Sequence, residues 1–181
     1  MDNSFTGKME KWLAIASAIG ALTACGGGSS STPTAPSAPA NIAASYAATI
    51  TASSTCSANL PTETRALDFA ANITQSGAAV QVQLIAHVPG VPEVTFSGTV
   101  SGQTVTFPSF SFTADMGRGA ALAASGSANV ATNGLSITGT LSGTYQTSSG
   151  GSCNSANHQL QMVKLCLQQT STGTAMLPCQ Q

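Results

Sequence analysis

From Ile42 onward, the apolar residues of this chain recur at every second position. Ile42, Ala44, Tyr46, Ala48, Ile50 and Ala52 alternate with small or polar residues, and Leu67, Phe69, Ala71 and Ile73 alternate with Asp68, Asn72 and Thr74. A period of two places one side of an extended chain in a core and the other in water, whereas an amphipathic helix needs a period near 3.6. The same alternation returns at Val80, Val82 and Leu84, at Val94, Phe96, Gly98 and Val100, and at Leu122, Ala124, Gly126, Ala128 and Val130. It runs longest through Leu135, Ile137, Gly139, Leu141, Gly143 and Tyr145. Between Phe107 and Phe110 the apolar parity slips from odd to even across Pro108, which predicts a bulge or bend there. A last strand is expected around His158 to Leu167, with mixed parity.

Short turn signals separate these runs. Gln75-Ser76-Gly77 and Ser101-Gly102-Gln103 read as hairpin turns, and Asn133-Gly134 is the strongest hairpin signal in the chain. Pro89-Gly90-Val91-Pro92 forces a loop, because neither proline can donate to a sheet ladder. Residues 115–120 form a further loop, with Gly117 and Gly119. The sum is about eight strands joined in sequence, with no helix predicted among them. Consecutive hairpins specify an all-β antiparallel meander over residues 41–181, either closed as a small lipocalin-like barrel or folded as a sandwich.

What precedes the domain has a different character. Lys8 and Lys11 lead into a short apolar run from Trp12 to Ala21, too short to span a bilayer but suited to an export signal; Met9 offers an alternative start. The run closes on Leu22-Thr23-Ala24-Cys25, followed at once by Gly26-Gly27-Gly28. This stretch resembles the lipobox of bacterial lipoproteins, in which a Leu and two small residues precede a cysteine. The resemblance covers roughly the first 30 residues. It implies that residues 1–24 are a signal peptide, that the thiol of Cys25 carries diacylglycerol, and that its freed amino group is acylated. Gly26 in place of Asp implies sorting to the outer membrane. Two or three acyl chains make detachment very slow, where one holds only marginally. Residues 25–40, rich in Gly, Ser and Pro33, Pro36 and Pro39, cannot bury a core and read as a tether that sets the domain clear of the headgroups.

Composition narrows the function. Only 6% of residues are charged, so Ser, Thr, Asn, Gln and Gly supply the polar surface. After Cys25 the only cations are Arg65, Arg118 and Lys164, too few and too scattered to neutralise a row of phosphates, so no nucleic-acid partner is expected. The partners expected are the membrane, through the anchor, and either an envelope protein or an apolar ligand. The proposed inward set (Ala48, Ala52, Ala71, Gly98, Gly126, Ala128, Gly139 and Gly143) is small enough to leave a ligand cavity, or else to let the sheet coil tightly against Phe69, Phe96, Phe107, Phe110 and Phe112.

No catalytic signature stands out. His87 and His158 are the only imidazoles, both expected at the surface, and no Gly-x-Ser-x-Gly accompanies them. The acids Glu63, Asp68, Glu93 and Asp115 are scattered, mostly in loops. Phosphate-binding, dinucleotide and calcium motifs are missing from the sequence, so neither enzyme activity nor a cofactor or metal is expected.

Setting Cys25 aside leaves Cys56, Cys153, Cys166 and Cys179, an even number in an oxidising compartment. In an eight-strand meander the first strand ends at the rim where the last begins. Cys56 follows the first strand and Cys153 precedes the last, which favours pairing Cys56 with Cys153 and Cys166 with Cys179. The first bridge closes a loop of about 100 residues, worth about 4–5 kcal/mol by chain entropy; the second pins a polar tail for about 3 kcal/mol. Peptide mapping without reduction should return these two pairs, and a Cys56–Cys166 peptide would contradict the rim argument.

Overall fold

The computed structural model describes residues 37–87, 93–114, 120–147 and 150–180. The lipobox and the loops carrying Pro89 to Pro92 and Asp115 lie outside these residues. Nine strands follow one another: β1 (Ala44–Thr51), β2 (Ala66–Ser76), β3 (Ala79–Ala86), β4 (Val94–Ser101), β5 (Thr104–Ala114), β6 (Ala120–Val130), β7 (Ser136–Thr147), β8 (Ser152–Thr170) and β9 (Gly173–Pro178). Two 3-10 turns, Ser54–Ala58 and Thr62–Thr64, lie between β1 and β2. Every strand pairs antiparallel with its sequence neighbour, and β1 pairs with β8 as well, from Tyr46↔Lys164 to Thr51↔Gln159. The first eight strands therefore close a barrel, and the sandwich alternative falls away.

The alternation in sequence becomes inside and outside. Tyr46, Ala48 and Ile50 from β1, Leu67, Phe69, Ala71 and Ile73 from β2, and Ile137, Leu141 and Tyr145 from β7 are buried in one continuous core. Phe96, Phe107 and Phe110 cluster on the β4–β5 side, with Phe96 and Phe110 stacked at 4.3 Å between centroids and Phe107 edge-on to both. The outer wall is set with hydroxyl and amide side chains such as Asn72, Gln81, Thr95, Ser127, Thr140 and Gln161, all exposed. A barrel that is apolar within and polar without is the inverse of one that spans a bilayer; this wall belongs in water.

Two irregularities let the pattern close. The register of β5 against β6 shifts between Phe107 and Phe110, as the parity slip at Pro108 predicts. A second shift separates the Leu141↔His158 pair from Gly143↔Ser155. It puts Ala156 and Asn157 out of step, so Cys153 points inward before the bulge and His158, Leu160 and Met162 point inward after it. The mixed parity of this strand is the mark of that bulge.

The Asn133-Gly134 hairpin forms and joins β6 to β7: Val130 pairs with Ile137, Gly134 sits at φ +69°, and the Asn133 Oδ1 accepts from the Leu135 amide. Two expectations need correction. The last predicted strand starts earlier and ends later than expected. The polar tail behind it folds as β9, which pairs with Leu165–Thr170 beyond the point where β8 leaves β1 and β7. A one-period pattern could not reveal this, because neither side of the resulting ribbon is fully buried.

The inward glycines serve close packing. A Cβ on Gly143 would sit 2.7 Å from the Ala124 Cα and collide with the Ala123 carbonyl oxygen; one on Gly139 would lie 2.6 Å from the Ala128 Cβ. β6 and β7 thus approach more closely than any side chain would permit. Gly143→Ala should cost about 1–3 kcal/mol through overpacking. Urea unfolding should show this as a lower midpoint with an unchanged slope, whereas an unchanged midpoint would mean the strands have room to spare.

Candidate functional site

The two ends of the barrel are built differently. One rim carries the β1–β2 connection, the β3–β4, β5–β6 and β7–β8 loops, and the Cys56–Cys153 bridge, with a Cα–Cα distance of 5.6 Å. The opposite rim carries the entering chain, the turns at Gly77, Gly102 and Gly134, and the exit of β8 toward β9, where Cys166 joins Cys179. Both bridges favoured by the rim argument are present. They also account for every cysteine among the described residues.

The loop rim is locked from within by His158. Its side chain is fully buried, contrary to the surface position expected from sequence, because the β8 bulge turns it inward beside Tyr145. The Ser53 backbone amide donates to Nδ1 at 3.1 Å, so Nδ1 must offer a lone pair. The proton is then on Nε2, which donates to the Gly143 carbonyl at 3.0 Å. One imidazole therefore ties the β1 exit to β7 through two backbone groups. Nearby, Arg65 donates from Nε to the Leu60 carbonyl at 2.9 Å and from Nη2 to the Ser57 carbonyl at 2.7 Å, bracing the two 3-10 turns.

These contacts do not assemble a catalytic group. Ser53 meets His158 through its amide, while its hydroxyl faces the Thr55 hydroxyl at 2.9 Å. Asp68 accepts from the Thr49 hydroxyl at 2.7 Å on the outer wall, Glu93 accepts from the Gln83 amide, and His87 is exposed at the end of β3. Among the described residues no cluster of three or more His, Cys, Asp and Glu side chains is placed to hold a metal ion.

The interior speaks to the ligand question. Tyr46, Tyr145, Phe107, Met162 and His158 are each 2% exposed or less and project into the barrel. The Tyr46 hydroxyl donates to the Ile42 carbonyl at 2.9 Å, and burial pushes its phenol above the ordinary value of 10. Ala48, Ala71 and Ala128 are buried among these large groups, and the glycines are taken up by neighbouring strands. Small residues thus sit beside large ones across the core.

The second rim is closed by the chain's own entry segment. The Ala40 amide donates to the Gly102 carbonyl at 2.7 Å, Gln75 receives the Ile42 amide on Oε1 at 2.8 Å, and Gln75 Nε2 donates to the Ala40 carbonyl at 2.9 Å. Ile42 is 1% exposed. From this end the β8–β9 ribbon projects, carrying Leu167, Met176 and Leu177 at 73%, 45% and 38% exposure. Sequence reading took Leu167 as the end of the last strand and did not single out Met176 or Leu177; the turn signal at Ser171-Thr172-Gly173 was the available clue.

No protein-family model, curated protein or solved structure matches this chain.

Replacing His158 by Ala strands the buried Ser53 amide and Gly143 carbonyl, at about 1–3 kcal/mol each where water cannot reach them. The variant should lose about 2–5 kcal/mol of stability in denaturant unfolding. A loss below about 1 kcal/mol would show that the imidazole is not what joins the two strands.

Proposed function

We propose that this chain is a lipid-anchored envelope protein whose barrel is a rigid, non-catalytic module for structural or surface contacts. Cys25 is the lipidated residue, residues 1–24 are the removed leader, and residues 25–40 are the tether. The observation that carries the reading is cysteine usage. Two bridges engage Cys56, Cys153, Cys166 and Cys179, which fits an oxidising compartment and leaves the lipobox cysteine as the one outside them.

The water-facing wall and the filled interior support a scaffold over a carrier. An apolar ligand inside the barrel would have to displace Tyr46, Phe107 or Met162, which pack at full burial. Low charge argues for contacts through hydroxyl and amide surfaces and against nucleic acid. Among the described residues no helix is long and apolar enough to cross a membrane, so attachment rests on the acyl chains. Gly26 after the cysteine supports delivery to the outer membrane.

Expression in a bacterium with two membranes, with metabolic labelling by a clickable palmitate, tests the reading. The wild-type chain should carry label on Cys25, lose its leader and sediment with outer membranes. Cys25→Ala should stay unlabelled and leave the detergent phase. If processing and partitioning were the same in both, the anchor reading would be wrong.

A further inference from the structure

The ribbon beyond the barrel has no task in closing it. β9 pairs with β8 alone, over six register pairs from Leu165↔Pro178 to Thr170↔Gly173. At about 3.4 Å per residue it extends about 20 Å. Opposed residues of an antiparallel pair share a face, so Leu165, Leu167, Met176 and Pro178 lie together, with Gln169 and Thr174 completing that face toward the tip. Leu167 is the most exposed large apolar side chain described, at 73%. From Leu165 to Gln181 the sequence has no charged side chain. An apolar sheet face of this kind in water asks for a cover.

Charge is sorted between the two ends. Arg65 and Glu63 lie in the β1–β2 connection, Asp68 pairs with Thr49 in the adjoining part of β2, and Glu93 precedes β4, all toward the loop rim. Among the described residues that rim thus holds three acids against one cation. The other rim consists of residues 37–43 and the turns at Gly77, Gly102 and Gly134, all without charge, and of one cation, Lys164, at the root of the ribbon. The chain that leads back to Cys25 joins the barrel at this rim. Eleven residues separate Cys25 from Ser37, twelve steps that can span about 40 Å at most, so an acylated Cys25 keeps this end within reach of the bilayer.

We propose that the β8–β9 ribbon is a second membrane contact: its Leu165/Leu167/Met176/Pro178 face lies in the headgroup–acyl boundary of the membrane that holds Cys25. The proposal rests on the anchor reading for the identity of that membrane. The sorting of charge supports it, since the end carrying Lys164 and no acid can meet anionic headgroups while the acidic rim faces away. The amide and hydroxyl groups of Gln169 and Thr174, on the same face toward the tip, suit the hydrated headgroup zone. The Cys166–Cys179 bridge, 5.0 Å between Cα atoms, holds the ribbon together at its root. With acyl chains and ribbon both engaged, the barrel would stand at a set orientation over the surface instead of swinging on its tether.

The test uses the full-length chain, expressed with its leader, purified from membranes and returned to phosphatidylethanolamine–phosphatidylglycerol vesicles. Trp12 is the only tryptophan and leaves with the leader, so Leu167→Trp creates a single reporter; Thr95→Trp on the outer wall is the control. Acyl chains brominated near the headgroup should quench Leu167→Trp about twofold and shift its emission to the blue, with Thr95→Trp unaffected, if the face sits at the boundary. Mass analysis of the Cys25 peptide from the same samples reports lipidation separately. An acylated chain with an unquenched, water-like Leu167→Trp overturns the ribbon proposal and leaves the anchor intact. An unacylated Cys25 overturns the anchor reading, and quenching at Leu167→Trp then still supports the contact. A blue shift without bromine quenching, with a dimer captured by cross-linking, assigns the face to a second copy and overturns the proposal.

Discussion

The pairing of β1 with β8 is the interaction on which the rest depends. Without it the meander is an open sheet with two raw edges and an apolar face that nothing covers. With it, the Tyr46↔Lys164 to Thr51↔Gln159 register brings the chain's start and end together and encloses the core. Several features serve that closure. The bulges at Phe107/Phe110 and Leu141/Gly143 add coil to β5 and β8, and glycines bring β6 and β7 close enough to turn tightly. His158 ties the β1 exit to β7, and Cys56–Cys153 fastens the same rim covalently across 97 residues of sequence.

Most of the barrel was legible because its strands face two different media. Where one face is buried and the other wet, as in β2, β3 and β7, the alternation gives strand and register together. Pro108 announced its bulge for the same reason: the apolar positions changed parity across it. In β8 the signal blurred, since a bulge reset the parity at Ala156 and Asn157 and the strand then outran the barrel. β9 was missed because both faces of the ribbon are largely exposed, which removes the contrast that alternation reports. His158 was misjudged on residue type; its burial depends on the bulge and on a backbone amide 105 positions away, and neither has a local signature. The disulfide pairs were readable because topology placed Cys56 and Cys153 at one rim.

The barrel is thus a filled scaffold with two unlike ends. One is acidic, loop-rich and braced by Arg65, His158 and a disulfide; the other is nearly free of charge, sealed by the entry segment, and extended by an apolar ribbon. Under the proposed anchor, that polarity would turn the nearly uncharged end to the membrane and the acidic end to the aqueous side. The wall between them presents hydroxyl and amide side chains such as Asn72, Gln81, Thr95, Ser127, Thr140 and Gln161.

Native-state hydrogen exchange, followed by mass spectrometry on the oxidised protein, tests closure most directly. If β1 and β8 seal the barrel, amides from Tyr46 to Thr51 should exchange only by global unfolding, at the same opening free energy as the central β6–β7 pair. Exchange of the β1 amides at markedly lower free energy than those of β6 and β7 would mean the sheet is open there, and would contradict the barrel as the organising feature of this protein.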